Sequence, residues 1–417
     1  MYVLIAPHKT SSVHFTLDAM IAQVHPSALV ALVSICLSRL NLFVHAEEIS
    51  IHVLYQNVEV MPRFMAIRGD GLPGLNWTTG IPMNASLDVQ NAWVLNLTVD
   101  EFKGKEFSFK ILFDDRRWQL GANFIGIANA GTIVVAPWFV RTTGFYWVAE
   151  RAVPSKYFQN TRDVVVYVPP GYLENSHPRV KFETLIACDG ENVFNDSTSF
   201  GGVSWNAQAT LDENILAGTM RPIVVLAPYN TIERMSEYTP VNGTGPDSAP
   251  FCRDKNACGH GDEYLAWVEQ VLLPLVAPKY RLSVDRKSLG FVGSSLGGLL
   301  SCYACWTRTT YQRCICMSSS FWWSSNWTIT DLIPKHKPPP KDTIFYLDSG
   351  DQPAPNGDDK IQTIQVRDEM ISLGWSLGKN LFYFLQPGGQ HNEASWASRF
   401  HVPLQEVYSP KLYVPQQ

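Results

Sequence analysis

SLGFVGSSLGGLLSCYACW, residues 288–306, is the stretch that decides the fold. It opens with an apolar run (288–293), turns through Gly293-Ser294-Ser295-Leu296-Gly297, and continues as LGGLLSCYACW, which reads as a helix. A serine flanked by glycines at both ±2 positions marks a sharp strand-to-helix turn. There a Cβ would collide with the neighbouring strand or helix, and the central side chain, Ser295, is left presented. Outward from this point, DVVVYVP (163–169), TLIACD (184–189), PIVVLAP (222–228) and TIFYLDSG (343–350) are further short apolar runs. They alternate with helix-like EYLAWVEQVLLPLV (263–276) and VRDEMISLGW (366–375). Strands apolar on both faces, interleaved with helices, predict a mostly parallel central sheet in an α/β fold.

Towards the N-terminus the texture changes. IHVLYQNVEV, WVLNLTV, FSFKILF and GTIVVAPWF are short β-rich runs separated by Gly, Pro and Asn turns, as in a small all-β immunoglobulin-like sandwich. The expected organisation is a leader over 1–46, a sandwich over 48–140, a linker over 141–160 and the α/β domain over 161–410. The leader rests on SALVALVSICL (27–37), about eleven apolar residues against the ~20 that span a bilayer, and on Val44-His45-Ala46, which suits a cleavage site. No later segment is long and apolar enough to span a membrane. Sequons at Asn76, Asn84, Asn96, Asn195, Asn242 and Asn326 agree with secretion. So does Cys252-Arg-Asp-Lys-Asn-Ala-Cys258, which a loop disulfide would close. Cys302-x-x-Cys305 with Cys314-x-Cys316 has a zinc-like outline but lacks the glycine-bearing knuckles, so core thiols or disulfides are expected there together with Cys188.

Composition narrows the function. Charged residues are 17% of the 417, aromatics 12% with 13 Trp, and net charge is −5. With no Lys/Arg block, the chain lacks the electrostatic footprint of a nucleic-acid binder. A serine nucleophile needs a base, and the base an orienting carboxylate, following it in the order Ser, Asp/Glu, His. After Ser295 only His336, His391 and His401 remain. His336 lies in the basic, proline-rich KHKPPPK. His391 lies in PGGQHNE, just beyond the apolar run LFYFLQ, at the end of a strand where such sites assemble; His401 is the alternative. For the acid, Asp348, Asp351, Asp358 and Asp359 are all candidates, with Asp348 still strand-like and structural in character.

These motifs carry a resemblance. VVVYVPPGY (164–172), LIACDGENVF (185–194), VVLAPYNTIERMSEYTP (224–240), LLPLVAPKYR (272–281), GFVGSSLGGL (290–299), SSSFWW (318–323) and PGGQHNEASWASRF (387–400) occur in order. The segment resembles the enterochelin-esterase and feruloyl-esterase-like branch of the α/β-hydrolases, the putative esterase family. The resemblance implies Ser295 as nucleophile, His391 as base, and an oxyanion hole from the backbone N–H groups of Leu296 and Glu191. The family acid precedes a helix ending near Gly374. With PAPNG (353–357) read as an insertion, that spacing favours Asp358, with Asp359 and Asp351 behind it. Arg234, Glu237 and Tyr238 either line the acyl or alcohol pocket or form a salt-bridged structural loop.

GDGLPGLNW (69–77), FSFKILFDDRRWQLGAN (107–123) and VVAPWF (134–139) resemble the starch-binding modules appended to glucoamylases. That likeness implies Trp77 and Trp118 as a platform for an α-glucan, with Lys110 and Asn123 as polar partners. The expected function is a secreted serine carboxylic ester hydrolase acting on an ester of a glycan, glycoside or siderophore-like compound, with neither metal nor organic cofactor. The alternatives are an acyltransferase on the same residues and a catalytically dead carbohydrate-binding protein.

Overall fold

A computed structural model describes residues 48–412 apart from 130, 253–256 and 354–356. The expected leader (1–46), with Cys36, and the centre of the PAPNG segment lie outside the described residues. The N-terminal part contains β1 (Glu48–Leu54), β2 (Met65–Asp70), β3 (Ile81–Pro82), β4 (Asn84–Ala85), β5 (Ala92–Thr98), β6 (Glu106–Phe113), β7 (Arg117–Trp118), β8 (Phe124–Ile127) and β9 (Gly131–Val135). One sheet has the order β4-β5-β1-β9; the other is β3-β2-β6-β7, with β8 also on β6. Alternation along the strands builds the core between them. Ile49, Ile51 and Val53 of β1 face Phe107, Phe109 and Ile111 of β6, while the intervening residues of β6 turn outward.

The second sheet holds eight strands: β10 (Phe145–Pro154), β11 (Thr161–Val168), β12 (Glu183–Ala187), β13 (Ile223–Pro228), β14 (Leu289–Ser294), β15 (Arg313–Met317), β16 (Ile344–Gly350) and β17 (Leu381–Gln386). Their order is β10-β11-β13-β12-β14-β15-β16-β17. From β13 to β17 neighbours run parallel; β10 and β11 are antiparallel additions at one edge. Every residue of β13, β14, β15 and β16 is buried, because helices cover both faces.

Residues 141–160, expected as a linker, instead contain the edge strand β10. Its pairing with β11 is interrupted by register shifts at Val148/Glu150 and Glu150/Val153, which break the two-residue alternation that identifies a strand in a sequence. Phe145 stacks on Trp147 at 5.3 Å between ring centroids, on a half-covered edge. The β-rich part and the α/β part are stitched by side chains rather than loosely tethered. The Glu174 carboxylate accepts from Tyr55 Oη (3.0 Å) and from the backbone N–H groups of Phe139 (2.8 Å) and Val140 (2.7 Å). Asn175 Nδ2 donates to Leu54 O and Pro137 O.

Disulfides join Cys252 to Cys258 and Cys305 to Cys314, the second tying the helix Leu296–Thr307 to β15. Cys188, Cys302 and Cys316 are buried free thiols, so the zinc-like outline holds a disulfide and two core thiols. No helix among the described residues is long and apolar enough to cross a membrane.

Candidate active site

The chain places β13 on one side of β12 and β14 on the other, so the sheet order reverses between β12 and β14. In open α/β sheets the crevice beyond such strand ends receives ligands. Ser295 follows β14 directly, with φ 58° and ψ −123°, a conformation that costs a non-glycine residue free energy and persists only where its surroundings impose it. Here they do. Ser295 N–H donates to Met317 O (3.0 Å), and Ser295 O accepts from Ser320 N–H (3.1 Å). The two glycines answer to close packing. A Cβ on Gly293 would sit 2.3 Å from the carbonyl carbon of Gly297, and one on Gly297 would lie 2.9 Å from Cys188 Cβ at the end of β12.

His391 comes from the loop after β17. Its Nε2 is 2.9 Å from Ser295 Oγ, and its Nδ1 is 2.8 Å from Asp358 Oδ1. The structure therefore brings Ser295, His391 and Asp358 into one hydrogen-bonded line. His336 and His401 are exposed on the surface. Of the other acids, Asp351 accepts Gly388 N–H (2.6 Å) within the loop, Asp359 accepts Trp322 Nε1 (3.1 Å), and Asp348 pairs with Arg399 (3.0 Å) in the interior.

A buried network grips Asp358 from below. Its Oδ2 accepts from Ser318 Oγ and from Gly350 N–H (2.7 Å), and its Oδ1 also accepts Asp359 N–H (2.9 Å). Ser318 Oγ in turn accepts from Trp396 Nε1 (2.9 Å) and from Arg399. Burial raises the Asp358 carboxyl, but the His391 hydrogen bond and charge, then Ser318 and the Gly350 N–H, outweigh it and bring it to about 2. Its neighbour goes the other way. Burial and the charge of Asp358 push Asp359 up to about 6, with His391 and Trp322 opposing. Asp358, Asp359 and His391 carry ligand-type atoms within 4.8 Å of one another, but their oxygens already accept the hydrogen bonds just named.

Leu296 opens the twelve-residue helix Leu296–Thr307, and Glu191 opens the short helix Glu191–Phe194 in the loop after β12. Both backbone positions thus flank the serine across the switch point. The Glu191 carboxylate folds over its own N–H and accepts Asn230 N–H (3.0 Å); burial and the charge of Asp189 raise it to about 7. Of the three residues expected at the pocket, only Arg234 lines the cleft. It makes a bidentate pair with Asp189 (2.6 and 2.8 Å). Glu237 is fully buried against Arg162 (2.5 Å), and Tyr238 Oη accepts Asp189 N–H (3.1 Å), so these two belong to the structural loop. The sequence reading missed Ser318, Trp396 and Arg399, although all three lie inside the quoted SSSFWW and PGGQHNEASWASRF motifs. The available signal was a lone arginine eight residues after His391 in an otherwise uncharged helix end.

In the β-rich part, Trp77 and Trp118 stand side by side with ring centroids 6.3 Å apart, inclined at 33°; Trp118 is 37% exposed. Arg68 lies over the Trp118 ring at 5.2 Å. The two polar residues expected beside them are engaged elsewhere. Lys110 Nζ donates to Gly121 O (2.8 Å) and Gln119 O (3.3 Å), with burial lowering its pKa, and Asn123 Nδ2 donates to Ser108 Oγ (3.0 Å).

YbbA of Bacillus subtilis (strain 168), an uncharacterized protein, is 26% identical over 184 residues, 44% of this chain and 66% of YbbA, just under two thirds of that relative's length. Among solved structures, an IroE-like serine hydrolase from Shewanella oneidensis is 20% identical, with 64% of this chain and 78% of that one covered and a TM-score of 0.46. The enterobactin esterase FES from Shigella flexneri is 14% identical, with 84% and 89% covered and a TM-score of 0.44. The family model described as Putative esterase matches residues 155–406, more than half of the chain, and so the chain belongs to the Putative esterase family.

Proposed function

We propose that this protein is a serine carboxylic ester hydrolase working through an acyl-enzyme. The observation that carries the reading is the hydrogen-bonded line from Ser295 Oγ through the His391 ring to Asp358. In the acylation step Ser295 Oγ forms a bond to the carbonyl carbon while its proton passes to His391 Nε2. The ionised Asp358 holds the Nδ1–H tautomer and favours the imidazolium that results. Negative charge on the carbonyl oxygen is met by the N–H groups of Leu296 and Glu191, the latter once its own carboxylate has swung aside. The alcohol leaves with the proton from His391, and water, deprotonated by the same ring, releases the acid. A fluorophosphonate probe tests the assignment. Modification of Ser295 in folded protein is expected, and its loss in His391→Ala; labelling elsewhere, or none, would exclude the mechanism.

The substrate class we assign is an ester of a glycan, glycoside or siderophore-like compound, handled outside the cell. Two disulfides support an oxidising compartment. Four of the six sequon asparagines, Asn76, Asn84, Asn96 and Asn195, are exposed. The paired Trp77 and Trp118 rings favour a second role for the β-rich part, binding of α-glucan by ring stacking. With Lys110 and Asn123 engaged elsewhere, that binding depends on the rings and on Arg68.

A further inference from the structure

Away from the serine cleft, a cavity of about 150 Å³ lies between the β-rich part and the α/β part. Leu54, Phe124, Val134 and Ala136 line it from one side, Val180 and Phe182 from the other. An apolar cavity of roughly this size accepts a benzene-sized guest. Two observations separate it from an ordinary packing gap. Trp138 lines the cavity, is 6% exposed, and its Nε1–H has no acceptor among the described residues. The indole is held in place, since a Cβ on either Gly121 or Gly171 would come within 2.4 Å of it. A buried donor without a partner is unfavourable, and a ligand oxygen brought within its reach would satisfy it.

The second observation is charge. Arg179 and Lys181 line the same cavity and are exposed, and neither side chain has an ion pair or hydrogen bond among the described residues. Among the described residues that line the cavity the one carboxylate, Glu183, is already matched by Arg221 (2.8 Å) and Arg313 (3.1 Å). The wall therefore presents two unmatched cations beside an apolar interior.

We propose that this cavity is a second ligand site, for a monocarboxylic acid whose apolar body is one ring or a chain of about six to eight carbons. The carboxylate faces Arg179 and Lys181, the body lies between the two parts of the chain, and Trp138 donates to a ligand oxygen. Isothermal titration of the whole protein with octanoate and with octan-1-ol tests this. Saturable octanoate binding with a Kd below ~1 mM is expected, with the alcohol bound about tenfold more weakly for want of charge-assisted contacts. The double variant Arg179→Gln, Lys181→Gln should bring octanoate down to the affinity of the alcohol while ester hydrolysis is unchanged. Ala136→Phe fills the space and should abolish both. If Ala136→Phe fails to fold, the double variant, which alters only exposed side chains, decides alone. No saturable octanoate binding, equal affinity for acid and alcohol, insensitivity to the double variant, or binding that survives in folded Ala136→Phe would each overturn the proposal.

Discussion

Asp358 and Asp359 are adjacent in the chain, yet removing their charges should have opposite consequences. Asp359 ionises at about 6 in the folded protein against an ordinary 3.8, because burial and Asp358 disfavour its charge. An acid raised on folding holds its proton longer folded than unfolded, so stability falls as pH rises from about 4 to about 6 and stays reduced above that. At about 1.4 kcal/mol per pH unit, the penalty at pH 8 is about 3 kcal/mol. Asp359→Asn keeps an acceptor for Trp322 Nε1 and removes the charge. It should therefore stabilise the protein by up to about 3 kcal/mol at pH 8, and by less than about 1 kcal/mol at pH 4. Asp358, depressed to about 2, contributes stability that is present above pH ~4 and lost as pH falls through about 2. Asp358→Asn forfeits about 2 kcal/mol of it at pH 7. It should also lower kcat by roughly 10⁴-fold, since the base is left in the wrong tautomer. Urea unfolding between pH 4 and 8, with turnover of a p-nitrophenyl ester on the same samples, separates the two. An Asp359→Asn protein less stable than the parent at pH 8, a gain undiminished at pH 4, or a larger kcat loss than for Asp358→Asn would refute the reasoning.

Ser295→Ala and His391→Ala should each remove nearly all turnover, and the double variant should be little worse, because the two act as a unit; multiplicative losses in single-turnover assays would count against their assignment. Gly293→Ala puts a methyl 2.3 Å from the Gly297 backbone and should cost at least about 1–3 kcal/mol of stability in thermal melts, together with activity, since the serine turn must move. Trp118→Ala should abolish α-glucan binding in affinity electrophoresis with little change in melting temperature, as a partly exposed ring contributes modestly to stability. A large fall in melting temperature would instead make the Trp77–Trp118 pair a packing element.

The acid shows where local reading ends. Asp351, Asp358 and Asp359 sit in one irregular loop after β16, where side-chain direction has no period to read. The loop's path sends Asp351 to Gly388 N–H, Asp359 to Trp322 and Asp358 to His391. Sequence spacing favoured Asp358, but only the fold shows three neighbouring carboxylates each facing a different partner. Likewise β10 was hidden because its register shifts erase the alternation that marks a strand, and the pocket roles expected for Glu237 and Tyr238 gave way to burial behind Arg162 and Asp189.

What the sequence by itself determined is what local sterics and hydrophobicity impose. Short β-branched runs apolar on both faces, alternating with helical patterns, make strands covered by helices. Gly293 and Gly297 leave the chain one way to turn at Ser295, and only three histidines follow that serine, one of them beyond a strand end. Tertiary structure alone decided what requires segments distant in the chain to meet. Ser318 after β15, Gly350 at the end of β16, and Trp396 and Arg399 after β17 converge around Asp358. Parallel strands bring their carboxyl ends to one edge however far apart they lie in sequence, and no pattern within a single segment records which side chains will meet there.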